Sequence, residues 1–416
     1  MRNFALLTHG SRGDIEPFIG LGRLLHDGGH QVTILTHSTY RAQVQAAGCD
    51  FVAVDDPAAY ERHLRRTEDL VAPRPAEGMS GYYADPGLFY DRVSVAGGVE
   101  QVHREVLALV DIARGGGDRL VVVGRHTSSL SGLIAAELTG ALVCLVALSP
   151  TQLITAPMAG LHLSRSAAGE LNALRARLGL PEIKRWGQWL GTADLITGLW
   201  PEWFDAAGTP SPQPIELTDF SLADDTAGET DSATMAAAAE LVDGAVLITG
   251  GSGRMLSPEF YPVAVAGVAE SGRRAVLVTP HADLVPQPLP PSVVHVTRLP
   301  FAAVMPKAAA VVHHGGIGTL ARALAAGVPQ LLLAHGGDRP DNGHRLERLG
   351  LARSWTAETW GAEALAEALS HIDEGPAAGN ATPAPMTAGG EKLVAKIEDW
   401  LAGLEDGNRH THLVAR

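Results

Sequence analysis

The segment Val311-Val-His-His-Gly-Gly-Ile-Gly-Thr-Leu320 carries the densest chemistry in this chain of 416 residues. A short apolar strand runs into glycines and then into a helix start. Missing side chains let the backbone approach an anion closely, and the free N–H groups and dipole of a helix N-terminus favour a phosphate. Thr319 adds a hydroxyl donor, and His314 an imidazole able to give a charge-assisted hydrogen bond. Glycines alone would equally serve a tight structural turn; the two histidines favour the phosphate loop. A second glycine-rich segment, Gly10-Ser-Arg-Gly-Asp14, follows an apolar strand over residues 3–8. A carboxylate placed there can take the proton of an attacking hydroxyl. It is also where helix-capping carboxylates sit, and the two roles are compatible. Ser11 and Arg12 either reach a phosphate from across a cleft or belong to a solvated loop.

The elements that must position these residues alternate between strand and helix. Strand 3–8, a helix over 17–27 and strand 31–36 make a βαβ unit, which implies a parallel sheet. Apolar strands over 120–123 and 141–148 flank a helical stretch over 129–138. Residues 205–232 break the pattern with Pro210, Pro212 and Pro214, then Asp219, Asp224, Asp225, Glu229 and Asp231 without periodicity. This reads as a linker, with a domain boundary near residue 218. Strands over 246–249, 275–279, 293–296, 308–312 and 330–334 follow, with helices over 262–270 and 319–326, the second ended by Gly327 and Pro329. A loop spans 376–390 and a terminal amphipathic helix 392–404. The expected division is 1–218, 219–395 and a C-terminal helix and tail over 396–416. Each large unit reads as a doubly wound α/β domain, with ligands at the carboxyl ends of its strands and a cleft between the two.

Composition limits the partners. The formal net charge of −14 argues against nucleic acid or an anionic membrane, both of which need clustered Lys and Arg. Only Cys49 and Cys144 are present, too few for a disulfide framework or a cysteine metal site. The apolar run 4–7 is far too short for a signal peptide, and Pro150 and Pro157 interrupt the longest charge-free stretch, so a cytoplasmic chain without an integral membrane segment is expected. The sequon at Asn380 carries little weight in such a chain. The monomer or homodimer question stays open.

Residues 297–352 closely resemble the donor-binding segment of family 1 nucleotide-sugar glycosyltransferases. The resemblance rests on His-His-Gly-Gly-x-Gly-Thr, Ala325-Ala-Gly-Val-Pro-Gln330 and Asp338-Arg-Pro-Asp-Asn342. The N-terminal Gly-Ser-Arg-Gly-Asp-Ile-Glu-Pro, residues 10–17, resembles the opening of bacterial members that glycosylate natural products and sterols. The resemblance implies a GT-B fold: two Rossmann-like domains with parallel sheets facing across a cleft, acceptor in the first and nucleotide-sugar in the second. It implies an inverting, metal-independent transfer from a UDP- or dTDP-linked sugar, a co-substrate rather than a cofactor, to a small-molecule acceptor. His314, Gly316, Gly318 and Thr319 match diphosphate positions, Ser252 a second phosphate contact, and Asp338 a sugar-hydroxyl contact with Arg339 and Asn342 in the same motif. Asp14 falls at the position of the general base. The residues also give no Asp-x-Asp after a strand to hold a metal.

Three positions depart from the pattern. Arg339 stands where Gln is usual, which favours a charged or unusual sugar. Arg322 stands where Glu often holds the ribose, and Arg298 where Trp often stacks on the base, a role a guanidinium can fill. They keep a non-catalytic accessory protein in view, beside a second enzymatic alternative of the same fold, a nucleotide-sugar 2-epimerase or a cell-envelope glycosyltransferase. Trp186, Trp189, Trp200 and Trp203 either line an apolar acceptor pocket or pack in the core. His126 sits at a strand end where it can face the cleft, and His9 is similar. Asp55 and Asp56 read as turn residues.

Overall fold

The computed structural model describes residues 1–70, 86–211, 215–222, 232–372 and 389–405. The sequon at Asn380, most of the 376–390 loop and much of the linker lie outside the described residues. Two parallel sheets organise the rest. The first holds β1 (Asn3–Leu7), β2 (Gln31–Thr36), β3 (Asp50–Ala53), β4 (Val121–Arg125), β5 (Leu142–Ala147), β6 (Leu195–Gly198) and β7 (Glu216–Leu217), in the spatial order β3-β2-β1-β4-β5-β6-β7. The second holds β8 (Val246–Thr249), β9 (Ala275–Val278), β10 (Val293–Val296), β11 (Ala310–His313), β12 (Gln330–Ala334) and β13 (Arg353–Thr356), in the order β10-β9-β8-β11-β12-β13. Central strands read as continuous apolar runs because both sheet faces are covered. In β1, Phe4 and Leu6 enter one core with Val121 and Val123, while Ala5 and Leu7 enter the opposite one with Val122.

Each sheet reverses its strand order once, between β1 and β4 and between β8 and β11. Connections diverge at such a point and leave a crevice beyond the carboxyl ends of the two strands. Residues 10–14 follow β1, 126–128 follow β4, 250–254 follow β8 and 314–319 follow β11. The two glycine-rich loops and their neighbours therefore sit at the reversals, while Arg298 and Asp338–Arg339 follow β10 and β12 to either side.

The first helix runs Arg12–Asp27, starting five residues ahead of the sequence expectation and carrying Pro17 inside it. The cause is local. Ser11 N–H donates to Asp14 Oδ2 at 2.9 Å, half of a capping box that closes the first turn before Pro17 is reached. Asp14 thus stands in a helix's first turn, not in a loop. The helix Ile317–Ala326 also starts early and ends at Gly327, whose φ of 65° is left-handed, as its stop signal requires.

The terminal helix, Gly389–Glu405, returns to the first half of the chain. Leu393, Ile397 and Leu401, one turn apart, are buried in the core beside Phe18, Leu21 and Leu25 of helix Arg12–Asp27. Each such side chain contributes about 1.5–3 kcal/mol on burial, so the end of the chain clamps the helix that carries Asp14. The two halves also share a core in which Trp200 and Phe204 meet Leu320, Leu324 and Leu346. The four tryptophans split between cores: Trp186 and Trp189 join one cluster, Trp200 and Trp203 the shared one. None of them lines the cavity described below. Asp55 and Asp56 are more than turn residues. Asp56 caps the helix Pro57–Thr67, accepting from Ala59 N–H at 2.8 Å; Asp55 pairs with His37. Among the described residues no helix is long and apolar enough to cross a membrane.

Candidate active site

A cavity of about 1540 Å³ lies between the two sheets and takes lining residues from both halves. Ser11, Arg12, Asp14, Ser252, Arg298, His314, Gly316, Gly318, Thr319, Asp338 and Arg339, all sequence candidates, reach it. Asn342 does not. It is fully buried and donates through Nδ2 to Gly315 O and Asp338 Oδ2, both at 3.0 Å, so it braces two cavity loops against each other.

On the second half, the paired histidines divide their work. His313 Nδ1 accepts from Gly315 N–H at 3.2 Å and Nε2 faces Gln330 Oε1 at 3.1 Å. It is fully buried, and burial pushes its pKa down to about 4. His314 is the one at the cavity. Burial, then the charge of Arg339, holds it well below the ordinary histidine value, so it is neutral at pH 7 and not the cation the sequence reading allowed. Its Nδ1 is buried without a partner. Its ring lies against Gly251 and Gly316; a Cβ on Gly316 would meet Nε2 at 2.4 Å, and one on Gly251 would meet Cε1 at 3.0 Å. Gly318 faces open space. The result is an uncapped helix start beside a neutral imidazole, an arrangement that can cradle an anion.

The first half brings Asp14. Its Oδ2 accepts from Ser11 N–H, and Arg125 Nη2 lies 3.1 Å from its Oδ1. Sequence reasoning missed Arg125; its signal was a charged residue closing an otherwise apolar strand. Behind the loop, His37 Nε2 accepts from Gly10 N–H at 2.9 Å while Nδ1 is 2.7 Å from Asp55 Oδ2. Burial holds His37 below its usual value, outweighing Asp55, so its ring stays a hydrogen-bond acceptor for the loop. His9 is fully buried behind the cavity, 2.7 Å from Glu105 Oε1. His126 does line the cavity.

The halves touch at their loops. Arg12 N–H donates to Ser252 Oγ at 3.2 Å. Arg254 pairs with Glu68 of the first half and with Asp283. Arg322 Nη2 lies 3.9 Å from Glu16 Oε2, and burial raises the Glu16 pKa despite the nearby Arg12, Arg322 and Arg298. The arginines that depart from the family pattern thus have partners in the fold. Arg339 is buried, with Nη1 donating to the carbonyls of Met255 and His335, and burial pushes its pKa down to about 10. It ties the β8 loop to the helix Arg339–Arg348. Among the described residues no three His, Cys, Asp or Glu side chains gather so as to hold a metal ion.

The buried neutral histidines set a pH dependence. In the unfolded chain His313 regains its ordinary value of 6.5, so the unfolded state binds more protons and stability falls as pH drops from that value toward 4. His313 alone then costs about 2 kcal/mol between pH 7 and pH 5. Urea unfolding across that range checks this; an unchanged stability at pH 5 would mean that the ring is solvated or paired when protonated.

The comparisons cover both halves. Residues 4–76 match the glycosyltransferase family 28 N-terminal domain, and residues 275–386 match the erythromycin biosynthesis protein CIII-like C-terminal domain. The chain is 29% identical to O-mycaminosyltylonolide 6-deoxyallosyltransferase of Streptomyces fradiae, over 95% of this chain and 97% of that protein. It is 24% identical to a sterol 3-beta-glucosyltransferase of Pichia angusta, over 89% of this chain and 31% of that longer protein. Its fold is that of the glycosyltransferase VinC, crystallised with dTDP, at a TM-score of 0.63 and 20% identity over 98% of this chain and all of the other. The two crevices, the loops at their mouths and these matches agree: the chain is a glycosyltransferase with the GT-B fold, similar to the erythromycin-CIII-like group and to natural-product and sterol enzymes.

Proposed function

We propose that the protein transfers a sugar from a dTDP- or UDP-linked donor to a hydroxyl of a small natural-product acceptor, in one inverting, metal-independent displacement. The acceptor lies in the unit formed by residues 1–218 and the donor in that formed by 219–395, with the C-terminal helix seated on the first. One observation carries the reading: the helix start of Asp14 and the phosphate-type loops of Ser252 and His314 meet across a single cavity, joined by the Arg12–Ser252 hydrogen bond.

In this mechanism Asp14 takes the acceptor hydroxyl proton as that oxygen attacks the anomeric carbon. The bond from that carbon to the diphosphate oxygen breaks, and the configuration inverts. The departing charge is met by the start of helix Ile317–Ala326, His314, Thr319 and Ser252. Asp338 is placed for sugar hydroxyls. The dTDP complex of VinC and the deoxysugar named for the Streptomyces relative favour a dTDP-deoxyhexose. The acceptor side combines Phe89, Leu130, Leu148, Leu153, Met158 and Leu190 with unpartnered His126 Nδ1, Thr127 Oγ1 and Ser149 Oγ. That lining suits a largely apolar ring system with an oxygenated edge, and a 2-epimerase would need none of it.

The test is incubation with dTDP- and UDP-hexoses and a panel of macrolactone, aromatic polyketide and sterol acceptors, read by mass spectrometry. A glycosylated product with inverted linkage is expected. An isomerised donor in the absence of any acceptor would instead identify an epimerase. Separately, His314→Ala weakens dTDP binding by about 1.5–3 kcal/mol, the worth of a hydrogen bond to a charged group; wild-type affinity by calorimetry would remove His314 from the diphosphate site.

A further inference from the structure

We infer that Arg125 is the positioning residue for the general base, an assignment that rests on the role proposed for Asp14. The topology creates the pair. β1 and β4 are neighbours at the strand-order reversal, with Leu7 opposite Gly124, so the residue that closes β4 stands beside the turn that leaves β1. Arg125 Nη1 donates to His9 O at 3.0 Å, and Nη2 reaches Asp14 Oδ1 at 3.1 Å. The guanidinium is therefore anchored to the end of β1 while it holds the carboxylate.

The two oxygens of Asp14 are held by groups of different origin. Ser11 N–H, three residues away, fixes Oδ2 relative to the helix start. It cannot fix the helix start relative to the sheet. Thr8 Oγ1, donating to Asp14 O at 2.8 Å, ties that start to the end of β1; Arg125, 111 positions further along the chain, holds the carboxylate itself. A third wall comes from Gly10: with φ of 119°, a Cβ there would stand 2.4 Å from Asp14 Oδ2. A carboxylate offers about four lone-pair sites. Ser11 N–H and Ser11 Oγ, at 3.2 Å, both engage Oδ2, while Arg125 faces Oδ1 as an ion pair, which leaves lone-pair capacity on Oδ1 for the acceptor hydroxyl.

Arg125 is only 8% exposed, and a buried guanidinium is tolerated when it is paired. A helix cap needs no such partner, because Ser11 already completes the turn. A base does need one, because misplacing a reacting group by 1 Å costs about 10²-fold in rate. Arg125 moves no proton itself; it sets where the proton acceptor stands.

The experiment compares Arg125→Ala and Arg125→Lys with wild type by three measurements: transfer kinetics with the donor and acceptor pair found in the panel, dTDP affinity by calorimetry, and crystal structures with dTDP bound. In Arg125→Ala, kcat falls about 10²-fold while dTDP affinity stays within twofold, and the Asp14 carboxylate rotates off its wild-type position. Lys restores a cation without the two-pronged fork, so Arg125→Lys recovers part of kcat. The inference is overturned if Arg125→Ala keeps wild-type kcat, if its Asp14 carboxylate stays in place, or if dTDP affinity falls in step with kcat, as a merely structural role would require. Wild-type protein that transfers nothing would refute the proposed function instead, and the crystal structures would still decide whether Arg125 holds Asp14.

Discussion

Asp14→Asn binds dTDP as wild type does and loses most turnover, with kcat falling about 10²–10⁴-fold. That loss is about 3–5 kcal/mol of barrier. Asparagine has the same shape but cannot accept a proton. It also carries no charge and one carbonyl oxygen where Asp14 uses two, so it cannot both accept from Ser11 N–H and ion-pair with Arg125. The substitution removes the base and loosens its seat together, while the nucleotide loops of the other half stay intact. Kinetics with the productive donor and acceptor pair, alongside calorimetry with dTDP, separate the effects. Wild-type kcat in this variant would reduce Asp14 to a helix cap.

Arg345→Ala destabilises the protein by about 3–5 kcal/mol, the usual cost of removing one partner of a buried ion pair. Arg345 is fully buried on helix Arg339–Arg348. Nε donates to Asp341 Oδ2 at 2.8 Å. Nη1 donates to the carbonyls of Phe204 and Asp205 at 3.0 and 2.6 Å, and Nη2 to Thr209 O at 2.7 Å. Its guanidinium lies 5.6 Å from the centre of the Phe204 ring. Alanine would strand Thr209 O, leave Phe204 O and Asp205 O with only the long backbone bonds from Ala207 and Gly208 N–H at 3.3 Å, and leave Asp341 with Thr151 Oγ at 3.1 Å. Domains are stable by only about 5–15 kcal/mol, so the fraction lost is large. The damage falls on the core shared by the two halves, so interlobe geometry and turnover go with it. Urea unfolding measures the effect, and removing Asp341 as well should then cost little more. A loss under about 1 kcal/mol would mean that water replaces the guanidinium there, as it does for an exposed ion pair.

How much of this was legible in the residues depends on distance along the chain. The strand, glycines and helix start of residues 311–319 are contiguous, so the local sequence declares the strand–glycine–helix junction without help. Asp14 was legible in the same way, as a carboxylate beside a glycine turn. The early helix start was missed because Pro17 looks like a first helical residue, and the Ser11–Asp14 turn that overrides it is a side-chain effect. The tryptophans near residue 190 were ambiguous because an aromatic side chain packs equally well in a core or a pocket.

What the sequence by itself determined is the set of local devices: two apolar strand systems, a glycine-rich helix start after each key strand, and the residue types that can hold a phosphate or take a proton. Only the tertiary structure decided that these devices face one another, that His314 is neutral, and that Arg125 and Arg345 are buried where they are. The reason is physical. A parallel sheet joins strands through long crossovers, so neighbours such as β1 and β4 are more than 100 positions apart. Burial and charge pairing at their ends are set by that packing, and no periodicity within either segment encodes it.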